Sequence, residues 1–116
     1  MSVKLSTREQ SGVVILDLSG TLTLGEGTSA LRNKVRELVA AGSHNMILNL
    51  ADVTYMDSSG LGELIGAHTT ITTAGGEMKL LNLAKRVHDL LKITKLYTVF
   101  EVFEDEPAAV ASFTKK

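Results

Sequence analysis

The chain has 116 residues, of which 44% are hydrophobic, and its twelve basic and thirteen acidic residues give a net charge of −1. That is enough apolar content for one domain with a modest core that folds unaided, and the charge balance leaves no electrostatic footprint for nucleic acid. The absence of cysteine excludes a disulfide framework, a thiol nucleophile and a thiolate metal site together.

Met1-Ser2-Val3-Lys4 carries no apolar stretch of signal-peptide length, and no later run approaches a membrane span; the expectation is a cytoplasmic protein with no direct membrane insertion. Alternation of apolar and polar residues predicts a weak strand over residues 3–8 and a stronger one over 13–18, with Gly12 as the turn between them. Gly25-Glu26-Gly27-Thr28 then opens a helix whose Leu31, Val35, Leu38 and Val39 share one side, and Gly42 ends it. Met46-Ile47-Leu48-Asn49-Leu50 lies in a third strand over residues 45–50. It is nearly continuously apolar, as a covered parallel strand requires, and Val53 to Met56 extends it. A helix to about Thr73 follows, with Leu61, Leu64, Ile65 and His68 at helical spacing. Gly75-Gly76 turns into a fourth strand over residues 79–83. A short helix over 84–91, a final strand over 99–103 and a helix from near Pro107 complete the order. Strands alternating with crossover helices predict an α/β fold: one domain with a mixed, mostly parallel sheet of about five strands and about four helices.

The most informative stretch is Asp57-Ser58-Ser59-Gly60-Leu61-Gly62, which places two hydroxyls and a carboxylate where a buried strand gives way to a helix. Unpaired N–H groups and the positive end of the helix dipole favour anions there. Asp and Ser are also the residues any helix start prefers as caps. Ser59 has Gly62, not Glu or Gln, three residues on, so the reciprocal capping box is absent. This reading gives Ser59 the cap and leaves Ser58 as a spare hydroxyl, and cap statistics alone leave its role open. Ser58, Gly62 and Gly66 recur four apart on one helical face, and each interior glycine costs about 1 kcal/mol relative to alanine. Two uses would compensate: close packing of the helix on its own sheet, or a smooth surface for another protein. The apolar stripe through Leu61, Leu64 and Ile65 already serves the first, which favours the second.

A hydrolase is the main enzymatic alternative, because a serine on a strand-to-helix turn also describes a nucleophile elbow. That elbow reads Gly-x-Ser-x-Gly, and Met56 stands two residues before Ser58. His68 falls on the apolar stripe and reads as a packing residue, while His44 and His88 read as surface positions. No phosphate-binding Gly-x-x-x-x-Gly-Lys-Ser/Thr loop occurs, and the acids and histidines lack metal-ligand spacing. These readings leave no catalyst, and the chain is expected not to be an enzyme.

The apolar strand, Met56-Asp57-Ser58-Ser59-Gly60-Leu61-Gly62, Gly75-Gly76-Glu77-Met78-Lys79-Leu80 and the early Leu18-Ser19-Gly20-Thr21-Leu22 resemble the STAS domain. The resemblance is to the bacterial anti-sigma factor antagonists in particular and spans essentially the whole chain, residues 1–116. It implies that the unphosphorylated protein binds an anti-sigma factor serine kinase and frees its sigma factor, and that phosphorylation at Ser58 switches binding off. It further implies resetting by a PP2C-type phosphatase, no cofactor, and a monomer or weak dimer. The partner-binding positions it implies are Asp57, Ser59, Gly60, Gly62, Glu63, Gly66, Thr23 and Glu26. One departure concerns Thr23, which stands where the family often has an acidic residue shortly after the early glycine; Glu26 is the nearest substitute for its charge. The alternative is a STAS scaffold or accessory subunit of a stress-signalling assembly or of a lipid or anion transport system.

Overall fold

The computed structural model describes residues 3–113, without the side chains of Glu26 and Tyr97. Strands β1 (Val3–Gln10) and β2 (Val13–Leu22) form an antiparallel hairpin, whose two-residue turn has positive φ at both Ser11 and Gly12, matching the right-handed twist of its strands. Helix α1 (Glu26–Ala40) leads to β3 (Asn45–Met56), α2 (Ser58–Thr73) to β4 (Glu77–Leu81), and α3 (Lys85–Thr94) to β5 (Val102–Phe103). Helix α4 (Glu106–Ala111) follows. The five strands lie in chain order, and every pair after the hairpin is parallel. Right-handed crossovers between such neighbours put α1, α2 and α3 on one face.

Several element boundaries differ from those read in the sequence. Strand β2 runs on past Leu18 to Leu22, alongside the extension of β3 through Val53 to Met56, because two register irregularities, at Asp17/Ser19 and Gly20/Thr21, let the two stay paired. Strand β4 stops at Leu81, since Asn82 adopts a left-handed φ of 57°. The chain coils through a 3₁₀ turn at Leu96–Thr98, so β5 contains only Val102 and Phe103 rather than residues 99–103.

Strand alternation divides the core in two. Leu16, Leu18, Met46, Leu48, Leu50 and Leu80 face α1–α3, where Leu31, Val35, Leu64, Ile71, Val87 and Leu91 meet them. On the reverse face Val13, Ile15, Ile47 and Leu81 are covered by Ala109, Val110 and Phe113. Here too lies Lys79, only 6% exposed. A charge so placed needs partners. Its Nζ donates to Ser112 Oγ at 2.8 Å, pairs with Glu101 at 3.2 Å and lies 4.5 Å from the Phe113 ring centre, tying the short α4 to the sheet. Arg8 reinforces that attachment by bridging Asp17 and Glu106.

Candidate functional site at the start of α2

Strand β3, whose last residue Met56 is buried, delivers the Asp-Ser-Ser segment to the carboxyl edge of the sheet. Asp57, not Ser59, caps α2: its Oδ1 accepts the Gly60 N–H at 2.8 Å, and its backbone is extended. The sequence reading of Ser59 as cap is thereby corrected. Aspartate is an equally good cap, and Ser58 and Ser59 are the first two helical residues. The other carboxylate oxygen of Asp57 accepts the Leu24 N–H at 3.2 Å, stitching the loop between β2 and α1 to the helix start. Hydrogen bonds from Gly60 and then Leu24 hold the Asp57 carboxyl below its ordinary range, so it is ionised at neutral pH.

Ser58 is exposed and Ser59 half-buried. Among the described residues neither hydroxyl is hydrogen-bonded, to a histidine or to anything else. His68 is ten residues further along α2, about 15 Å at the helical rise, and meets the Phe100 ring edge-on at 5.6 Å. It is a packing residue, and His44 and His88 are exposed, as the sequence indicated. Among the described residues no group of His, Asp and Glu is arranged to hold a metal ion, and no helix is long and apolar enough to cross a membrane.

The glycines of α2 separate into two kinds. Gly60 is buried: a Cβ there would run into the Leu22 carbonyl oxygen and come within 2.8 Å of Met56 Cγ. Its requirement is internal. Gly62 has nothing within 4 Å of a Cβ, and Gly66 only the Glu63 carboxylate at 3.7 Å. Both line an open cavity of about 240 Å³ between α1 and α2, walled by Arg32, Val35, Arg36 and Glu63. Glu63 is held there by Arg32 at 2.8 Å. Thr23 is half-buried in the adjoining loop, and Glu26 opens α1, its side chain lying outside the described residues. Gly25, at φ 110°, makes the turn that only glycine accommodates readily.

Sequence reasoning missed three features of this end of the molecule. Leu24 is 78% exposed, a position the sequence reading left unassigned. Tyr55 is also exposed, with the Arg86 guanidinium 5.5 Å from its ring centre, and Arg32 finds Glu63 across two helices. The signal for Leu24 was its position beside Gly25, where a turn throws it outward; the two long-range pairings leave no trace in local spacing.

Comparison with known proteins gives a consistent picture. The family profile described as "STAS domain" matches residues 4–109. The anti-sigma F factor antagonist of Paenibacillus polymyxa is 29% identical over 95% of this chain and 94% of its own length. The anti-sigma-B factor antagonist of Bacillus subtilis is 28% identical over 88% and 92% respectively. In fold, the anti-sigma factor antagonist SpoIIAA in its unphosphorylated form superposes with a TM-score of 0.72 at 21% identity, covering 99% of this chain and all of that one.

Proposed function

This chain belongs to the STAS domain family, and on that premise we propose that it is an anti-sigma factor antagonist working as a phosphate-gated interaction switch in the cytoplasm. Unmodified, the surface starting at Ser58 docks on an anti-sigma factor serine kinase, which releases its sigma factor. Phosphorylation of Ser58 ends that interaction, and a PP2C-type phosphatase restores it. The names of the curated relatives support this reading. The observation that carries it is the Ser58 hydroxyl, exposed and without a hydrogen bond at the first position of α2.

The mechanism follows from what surrounds that hydroxyl. A phosphate adds about −1.5 to −2 charge. Part of the anion-binding capacity of the helix start is already taken, because Asp57 accepts the Gly60 N–H. A phosphate on Ser58 therefore projects outward beside a fixed carboxylate, toward the partner. The fold tolerates it, since the remaining N–H groups and the helix dipole favour negative charge. Binding does not, because the charge must be desolvated against Asp57 and acidic groups of the partner. Exposed Leu24 supplies an apolar anchor beside the switch, and the open Gly62 and Gly66 positions admit a close-lying partner backbone. On this reading Ser58 is a phosphate acceptor and the protein is not an enzyme.

Incubation with the candidate kinase and ATP, followed by mass-spectrometric mapping, tests the site. The expected result is one phosphate on Ser58 and loss of kinase binding in calorimetry. Modification confined to Ser59 would sink the assignment, and undiminished binding of the phosphorylated protein would sink the switch.

A further inference from the structure

A second cavity, sharing no residue with the surface around Ser58, lies between α3 and the edge strand β5. Its volume is about 480 Å³, and it is lined by Leu83, His88, Leu91, Lys92, Phe100, Val102 and Glu104. Small-molecule sites run from about 300 to 1,000 Å³ and prefer the carboxyl ends of parallel strands. The cavity meets the size condition, and Leu83 and Glu104, which follow β4 and β5, bring the carboxyl ends of those strands into its wall, while Phe100 just before β5 and Val102 within it extend the wall along that strand. It exists because β5 is a two-residue edge strand and α3, the last helix on that face, packs toward β3.

The chemistry of the lining is specific. Leu83, Leu91, Phe100 and Val102 supply an apolar floor, while His88 and Lys92, one turn apart on α3, present donors on the same side. Glu104 presents a carboxylate. Helix α3 pairs charges where it can, as Lys85 with Asp89 at 3.1 Å shows. Yet among the described residues the side chains of His88, Lys92 and Glu104 make no hydrogen bond or ion pair with one another or with anything else. A cation and an anion around an apolar floor, neither neutralised by the other, complement a small molecule carrying both charges on an apolar body.

We propose that this cavity binds a free apolar α-amino acid, with its carboxylate on Lys92 and His88, its ammonium on Glu104 and its side chain on the Leu91 and Phe100 floor. The two head groups form charge-assisted hydrogen bonds, and the side chain is withdrawn from water.

The test is an amide chemical-shift titration of the full chain with L-leucine and L-phenylalanine. It is run against 4-methylpentanoate, which lacks the ammonium, and 3-methylbutylamine, which lacks the carboxylate. Saturable shifts centred on Leu83, Leu91, Phe100 and Val102 are expected with at least one amino acid, and each control should bind about tenfold or more weakly. Lys92→Gln and Glu104→Gln, at exposed positions, should each weaken the amino acid about tenfold while the rest of the spectrum shows an intact fold. Absence of saturation with both amino acids, a control binding as tightly as its parent, or affinity unchanged in both variants would each overturn the proposal.

Discussion

On the inner side of α2, a Cβ at Gly60 would collide with the Leu22 carbonyl oxygen and Met56, whereas on the outer side one at Gly62 meets nothing within 4 Å. The same residue type thus answers two demands within three positions. Inside, glycine lets the helix start close against β2, which also brings Leu24 within reach of the Asp57 carboxylate. Outside, Gly62 and Gly66 forgo helix propensity with no packing in return. An unpaid cost on an open face, next to an unbonded hydroxyl, marks a surface shaped for something beyond the chain itself.

The largest effect that would break this contrast is in Gly60→Ala. The new methyl must displace backbone as well as Met56, so a loss of about 3 kcal/mol is expected in denaturant unfolding, as for overpacked cores. A loss within the usual surface range of about 0.5 kcal/mol would mean that the helix start is loose. Next comes Ser58→Asp, expected to weaken kinase binding by on the order of 2 kcal/mol while the unfolding midpoint stays near that of the parent. Ser58→Ala should fold, bind and resist phosphorylation. If Ser58→Asp fails to bind only because it unfolds, Ser58 is structural.

Gly66→Gln sharpens the comparison from the other side. Helix propensity should raise stability by up to about 1 kcal/mol, and the added side chain should fill the groove and reduce kinase affinity in calorimetry. Unchanged affinity would return the outer glycines to an internal role. The smallest effect lies on the reverse face, as a control. The Arg8 guanidinium holds Glu106 and Asp17 below the ordinary carboxylate range. Their contribution is therefore present above that range and lost as pH falls through the lowered values. Arg8→Ala should flatten this acid dependence and cost about 1 kcal/mol or less at neutral pH, because the pairs are largely solvated. Kinase binding should not change; a shift there would show that the two faces are coupled.

Much of this arrangement was legible from residues alone. The alternating order of strands and helices, the parallel sheet, the helix opening at Asp57-Ser58 and the four-residue spacing of Ser58, Gly62 and Gly66 all rest on local periodicity, which sequence carries directly. The cap was misassigned to Ser59 because Asp57 and both serines have similar cap preferences. Only the extended backbone at Asp57 and its bond from Gly60 decide among them. The end of β2 and the start of β5 were misplaced because irregular pairing and a 3₁₀ turn depend on neighbouring strands rather than on propensity.

The sequence by itself determined the fold class, the place where a hydroxyl meets a helix start, and the absence of thiol chemistry. Tertiary structure alone decided which glycine is buried, how Lys79 is neutralised and which charges around α3 remain unpaired. The physical reason is one of range. Backbone geometry and hydrophobic periodicity are written within a few residues, whereas burial and electrostatic pairing arise between positions as distant in the chain as Lys79 and Ser112 or Leu24 and Asp57.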